Sequence, residues 1–339
     1  MKSIRICRVW LPVALGMFAV AWFFFKEFDV AVLTSFHFSP EKILFLFLML
    51  AALVIMRDGS LIWRFRILSG NTISWRKAFN VHILSEFISA ITPSAIGGSS
   101  LVIYFLVKEG VNAGRSTTIM LINLFLDELF FILICPLLFL FIPLDELFPS
   151  HNQLIPAMIY VFAGLYCLLL LWTSLLFTGI FIRPDWIKKI VLWIFRFPLL
   201  KRGREKAEKM TEDMLHASQT IKNYSFTFRL KLFLITAVIW FSRFFIVNII
   251  FSAFTHVENH LTVFARQVVL WILMIVMPTP GGSGLSEYTF KEYYSDIFLS
   301  GSLVLLVVIL WRFISFYMYL FFGMLILPKW MQRDNGAKV

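Results

Sequence analysis

The sequence predicts an all-α polytopic membrane protein, with about six transmembrane helices plus two re-entrant helical hairpins in an inverted repeat. Three observations carry that expectation. The 339 residues are 60% hydrophobic and only 15% charged, against about 45–50% and roughly 25% in soluble domains. The apolar residues fall in separate runs of roughly 20, the length that crosses a hydrocarbon layer of about 30 Å. Two further apolar stretches are each broken by a Pro-Gly cluster.

The full spans are placed at about 10–26, 41–57, 116–142, 154–182, 231–254 and 299–327. Each is expected to be helical, because lipid offers backbone polar groups no partner but one another. The first run follows Lys2–Arg8 and resembles a signal sequence. No small-x-small cleavage site follows it, so it reads as a retained span.

Residues 79–107 are interrupted by Thr92-Pro93-Ser94-Ala95-Ile96-Gly97-Gly98, and residues 262–296 by Pro278-Thr279-Pro280-Gly281-Gly282-Ser283-Gly284. The arms on either side of each break are too short to cross alone, so each pair reads as a hairpin entering and leaving by one face. Charge placement supports this topology. With the N-terminus cytoplasmic, segments 1–9, 57–78, 108–115, 183–231 and 328–339 hold 25 Lys and Arg, and the opposite side holds Lys26, Lys42 and Lys291. If one broken segment crossed fully, every later segment would change sides.

The hairpins then enter from opposite faces. The elements also recur at a near-constant offset: span 41 with 231, Thr92-Pro93 with Thr279-Pro280, span 116 with 299. That is the pattern of an inverted-repeat transporter. The whole of 1–330 is expected to be one transmembrane domain, with repeats at about 10–142 and 154–327. Residues 183–230 form a basic cytoplasmic interfacial linker, and 331–339 a disordered tail. Within the linker, Trp186–Trp193 has the look of an interfacial helix with snorkelling lysines. A charged helix is expected over 201–223.

A net charge of +11 in a soluble protein would suggest nucleic acid. Here the basic residues lie between apolar runs and read as a topology signal and as contacts for anionic headgroups. Cys7, Cys135 and Cys167 are far apart, with no metal or disulfide spacing. His256 and His260 do not form an HExxH motif, and no glycine-rich phosphate loop occurs. Gly282-Ser283-Gly284 resembles the serine of an intramembrane protease, but such a serine needs a histidine base at similar depth. No catalytic residue, metal or cofactor is assigned.

The candidate binding residues are Thr92, Pro93, Gly97, Gly98, Asp127, Glu128, Arg243, Pro280, Gly281, Gly282, Ser283, Gly284, Glu287 and Arg312. A half-helix that starts at mid-membrane presents free N–H groups and a positive dipole end, suited to phosphate or carboxylate. The alternative is that the small residues serve close helix packing. Charges at depth are costly and have a partner or a function. Asp127 and Arg312, 185 apart, fall at equivalent repeat positions with opposite sign. They read either as a salt bridge between halves or as headgroup ligands. In the second case Arg243 and Arg312 take the anion, and Asp127, Glu128 or Glu287 takes an amine or proton.

The first break, with Tyr104-Phe105 and Lys108-Glu109-Gly110 after it, and the run Pro278-Thr279-Pro280-Gly281-Gly282-Ser283-Gly284-Leu285-Ser286-Glu287 together resemble the lysylphosphatidylglycerol synthase transmembrane-region family, also called flippase-like. The second run matches a P-x-PGG-x-G-x-x-E signature. Many members carry an acid just after the first glycine; this chain has Gly98-Ser99-Ser100 there. The resemblance spans nearly the whole chain. It implies movement of a phospholipid, often aminoacylated or otherwise modified, between leaflets of a bacterial inner membrane. It implies the transport half alone, without a synthase domain. The alternative is a non-transporting, lipid-binding partner of a separate lipid-modifying enzyme. Membrane lipids, such an enzyme and further copies of the chain are the partners this reading admits; nucleic acid is not among them.

Overall fold

The computed structural model describes residues 39–92, 95–149, 154–194, 224–277, 279, 281–298 and 301–332, together with a few isolated positions between 205 and 219. The described residues are helical, turn or irregular, with no strand. In chain order the helices are α1 (Pro40–Leu68), α2 (Trp75–Ile91), α3 (Ala95–Lys108), α4 (Ala113–Phe141), α5 (Leu144–Leu147), α6 (Leu154–Phe177), α7 (Pro184–Ile194), α8 (Phe226–Phe254), α9 (His260–Met274), α10 (Leu285–Tyr293), α11 (Gly301–Arg312) and α12 (Met318–Gln332). Two π-helical turns interrupt them: Thr178–Ile182 prolongs α6, and Phe313–Tyr317 joins α11 to α12.

Five of these stretches are long and apolar enough to cross a membrane: Pro40–Leu68, Ala113–Phe141, Ala157–Ile182, Phe226–Phe254 and Gly301–Gln332. They coincide with five of the six expected spans; the sixth, 10–26, lies outside the described residues. The chain is an all-α polytopic membrane protein. Ile43, Leu44, Phe45, Phe47 and Leu48 of α1 are all more than half exposed, as are Leu140 and Phe141 of α4. In water such bands would be an aggregation hazard; against acyl chains they are the ordinary outer surface of a span.

Helix starts follow their capping residues. Ser39, Ser74, Asn112, Ser225 and Asn259 each accept a hydrogen bond from a backbone N–H in the first turn of α1, α2, α4, α8 and α9. The caps Ser39 and Ser225 lie 186 positions apart, and each opens a helix of 29 residues. Ser74 and Asn259, 185 apart, open α2 and α9 in the same way. The interrupted stretches form the short helices α2 and α3 before and after the first break, and α9 and α10 around the second. These have 17, 14, 15 and 9 residues.

α1 packs most extensively against α8, in the second half of the chain. α12 from the second half lies on α2 of the first, and α4 from the first touches α9 of the second. One apolar core joins α4, α6, α8, α9, α10 and α11 through Phe131, Phe244, Phe264, Phe290 and Trp311. Another joins α1, α2, α3 and α4 through Phe65, Leu84, Leu106 and Ile119. The cavity described below lies between them.

α1 runs eleven residues past the expected end of its span. Arg57 and Arg64, expected in a cytoplasmic loop, are therefore inside the bundle, 1% and 2% exposed. The cause is an apolar stripe that continues beyond the hydrophobic run. Arg57, Leu61, Arg64 and Leu68 recur at helical spacing on one buried face. In the linker, α7 forms where an interfacial helix is expected, with Trp186, Ile190 and Trp193 exposed. Of the stretch 201–223, the described positions are helical and the rest lies outside the described residues. Only Met331 and Gln332 of the expected tail are described, and both belong to α12.

Candidate functional site

The two halves enclose a cavity of about 390 Å³. Its wall is built from α1, α2, α3, α4, α8, α9, the second break, α11, the π turn and the start of α12. Three arginines face it, Arg64, Arg243 and Arg312, with Glu86 and Asp127, and with His82, Asn123, Gln267, Thr279 and Ser315 between them. Trp240, Trp271, Trp311 and Phe316 supply much of the apolar surface.

Each arginine holds one carboxylate. Arg64 binds Asp127 in a two-pronged contact, 2.7 and 3.0 Å, and also reaches Thr236 Oγ1 at 3.0 Å. Asp127 accepts a further bond from Trp240 Nε1 at 2.9 Å. Arg243 NH2 donates to Glu86 Oε1 at 3.1 Å, a contact between the halves. Its guanidinium lies 5.1 and 5.0 Å from the Trp240 and Trp271 ring centres, within range for cation–π attraction. Arg312 Nε comes within 2.8 Å of Glu287 Oε1, both groups under a tenth exposed. That contact is close but poorly aligned. It leaves Arg312 Nε and NH2 and Glu287 Oε1 without a well-formed hydrogen bond.

The same shortfall recurs around the wall. Arg64 Nε, Arg243 Nε, Thr279 Oγ1, Ser315 Oγ and His82 Nε2 are buried without a hydrogen-bond partner. Native proteins leave few such atoms, and each costs about 1–3 kcal/mol when unmet. Most of these atoms are donors, and the residues that carry them line one cavity. Chemically, the arrangement suits a ligand with several acceptor oxygens and a negative charge.

The second break lies against the end of α2. Gly281 has φ +57°, and a Cβ there would overlap the Phe316 ring and stand 2.9 Å from the carbonyl oxygen of Ala90, near the end of α2. Only glycine combines the left-handed backbone with that close approach. Thr92 caps the end of α2 and bonds back to Ile88 O through its hydroxyl at 2.7 Å. The N-terminus of α10 is already occupied by an anion of its own. Glu287 Oε2 accepts from Gly284 N at 2.7 Å and from Ser286 Oγ at 3.0 Å. That half-helix end is thus neutralised within the fold, and the wall's unmet donors belong to side chains.

Of the sequence-derived candidates, Thr92, Asp127, Arg243, Gly281, Gly282 and Arg312 are brought together in the wall. Glu287 stands behind Arg312. Glu128, Ser283 and Gly284 are outside the wall, and Gly97 and Gly98 lie in the first turn of α3. Pro93 and Pro280 fall outside the described residues. Asp127 and Arg312 do not pair with each other; each takes a nearer partner. The sequence reading missed Arg64, His82 and Gln267 as wall residues. The α1 stripe was a usable signal for Arg64. His82 and Gln267 sit in α2 and α9, the short apolar helices before the two breaks, where any polar residue is a candidate.

The fold and site define a multi-pass membrane protein with a charged, donor-rich cavity between two halves. The chain belongs to the family described as the lysylphosphatidylglycerol synthase TM region, whose model matches residues 9–323. It is also similar to a UPF0104 membrane protein of Archaeoglobus fulgidus, 28% identical over 288 residues, covering 81% of this chain and 84% of the relative. No solved structure matches it.

Proposed function

We propose that the protein moves a lipid with a phosphorylated headgroup between the leaflets of a bacterial inner membrane, with both termini on the cytoplasmic side. The observation that carries this reading is a cavity between the two halves lined by Arg64, Arg243 and Arg312, whose Nε atoms, with Thr279 Oγ1 and Ser315 Oγ, lack a hydrogen-bond partner. A phosphodiester supplies the matching acceptor oxygens. The headgroup would enter between α2 and the second break while its acyl chains stay among the lipids along α1 and α8. Arg243 and Arg312 take the phosphate, each contributing N–H groups that its single carboxylate contact leaves over. A positively charged substituent, such as an aminoacyl amine, would face Glu86 or Asp127. The matched helix pairs and their constant offset favour an inverted repeat, and the short helices beside each break favour re-entrant hairpins. Rocking of one half against the other would then switch the open face. The family description supports a lipid substrate.

Leaflet exchange in proteoliposomes tests this. With labelled phosphatidylglycerol or lysylphosphatidylglycerol, wild-type protein should move label, and Arg243→Gln and Arg312→Gln should slow it at least tenfold. Equal rates for wild type, both variants and protein-free vesicles would refute the reading.

A further inference from the structure

His82 lines the cavity, yet its side chain is only 1% exposed. Its Nε2 lies 3.4 Å from Asp58 Oδ1, a charge contact without hydrogen-bond geometry. Asp58 is held from elsewhere: Arg57 Nε donates to Oδ1 at 2.8 Å, and the Tyr319 hydroxyl donates to the same oxygen at 2.7 Å. Arg57 also contacts the Tyr319 hydroxyl, and the Tyr319 ring meets the imidazole edge-on, centroids 5.8 Å apart. Glu86 follows His82 by four residues, on the same face of α2, and carries Arg243. The groups around the imidazole are therefore Arg57 and Asp58 from α1, Glu86 from its own helix, Arg243 from α8 and Tyr319 from α12.

Charge balance gives this cluster a use. The pairs Arg57–Asp58, Arg64–Asp127, Arg243–Glu86 and Arg312–Glu287 each cancel. With His82 neutral, these charges in and directly behind the wall sum to zero. A phosphodiester headgroup brings one negative charge into it, and an uncompensated charge at depth is costly. Histidine is the side chain that gains a proton most readily near neutral pH.

We propose that His82 is a proton site that couples headgroup movement to proton movement, one proton per phosphodiester; this rests on the transport reading above. As the anion enters, the Nε2 lone pair takes a proton from cavity water and an N–H bond forms. When the headgroup leaves on the other side, that bond breaks and the proton returns to water there. The imidazolium draws Asp58 to itself and competes with Tyr319 for the same oxygen. Asp58 and His82 belong to the first half and Tyr319 to the second, so loading loosens a tie between the halves.

The test uses full-length protein in phosphatidylcholine vesicles carrying a trace of fluorescent phosphatidylglycerol, with a pH dye inside. For wild type, a gradient of one pH unit should sustain about a tenfold ratio of label between leaflets, with matching proton flux. In His82→Gln the ratio should fall to about one at whatever rate the label still moves; Asp58→Asn should weaken the gradient response. A second measurement does not depend on transport. The His82 nitrogen resonance in nanodiscs, assigned by its loss in His82→Gln, should shift toward the imidazolium position when phosphatidylglycerol replaces phosphatidylcholine at constant pH. Wild-type label movement indifferent to the gradient would overturn the coupling and leave transport standing. A His82 resonance insensitive to the lipid would overturn it as well. No label movement by wild type would sink the transport reading, and the coupling with it.

Discussion

Replacing Asp127 with Asn tests how much stability comes from the Arg64–Asp127 pair of the first half and its bonds to Thr236 and Trp240 of the second. Arg64 is 2% exposed and Asp127 27% exposed. The carboxylate serves Arg64 twice and Trp240 of the other half once. Breaking a buried ion pair by removing one charge costs about 3–5 kcal/mol. Asparagine keeps one acceptor oxygen, and Asp127 is partly exposed to the cavity, so the expected loss is about 2–3 kcal/mol. At about 2–4 °C per kcal/mol in mid-sized chains, that is a fall of roughly 5–10 °C in the midpoint of thermal unfolding. Cys135 provides the assay, because its thiol is buried while that of Cys167 is exposed. With Cys7 and Cys167 replaced by Ser, a thiol-reactive dye reads unfolding through Cys135 alone. An apolar replacement of both partners, Arg64→Met with Asp127→Leu, should recover most of the loss, to within about 1 kcal/mol of the parent. The reasoning fails if Asp127→Asn shifts the midpoint by less than 2 °C, or if the double variant is as unstable as the two single losses added together.

Three further outcomes follow from the same geometry. Gly281→Ala places a methyl against Phe316 and the Ala90 carbonyl at a left-handed backbone position; it should lower the unfolding midpoint by more than 5 °C, and Phe316→Ala should restore only part, since the backbone contact remains. Gly323→Ala drives a methyl into the Phe87 ring; it should reduce the yield of monodisperse protein on gel filtration, with Phe87→Ala in the same chain recovering it. Arg266→Lys loses the two-pronged contact to Asp296, at 2.8 and 2.7 Å, and the bond to Glu146 O at 2.7 Å; the expected cost is about 1–3 kcal/mol, read by the same dye assay, with leaflet exchange by the folded fraction within twofold of wild type.

Hydropathy made the spans legible because lipid imposes one requirement on every residue of a crossing helix. The two breaks were legible because Pro and Gly alter the backbone locally and leave a mark in a short window. What did not show was where each helix ends when its last turns are packed against protein. Beyond Met56, α1 turns polar in composition while keeping its buried stripe, so average hydropathy stopped the span too early and sent Arg57 and Arg64 to a loop. Partner choice was also hidden. Glu86 and Arg243 are 157 residues apart, and Arg64 and Asp127 are 63 apart. Nothing local distinguishes those pairs from the equally plausible match of Asp127 with Arg312. That match came from symmetry alone, whereas Glu287 lies beside Arg312 and Arg64 beside Asp127. The α10 N-terminus had the sequence of an anion site, but its third residue is itself an acid that reaches back to Gly284 N, a capping habit visible in Gly284-Leu285-Ser286-Glu287 once looked for.

The π turn at Phe313–Tyr317 amounts to one surplus residue wound into an otherwise regular rod. Because the surplus is absorbed within the turn, deleting a single residue there would let the rod close up as a plain α-helix with Tyr319 and Trp330 near their present faces, whereas the same deletion in the regular part of α11 would swing everything after it by about 100°. Tyr319 would then turn away from Asp58, and Trp330 from Glu109, whose carboxylate it now meets at 2.5 Å. Sequence length over this turn is therefore under looser constraint than in the regular helix on either side, and a one-residue gap in α11 should do more harm than one within the turn.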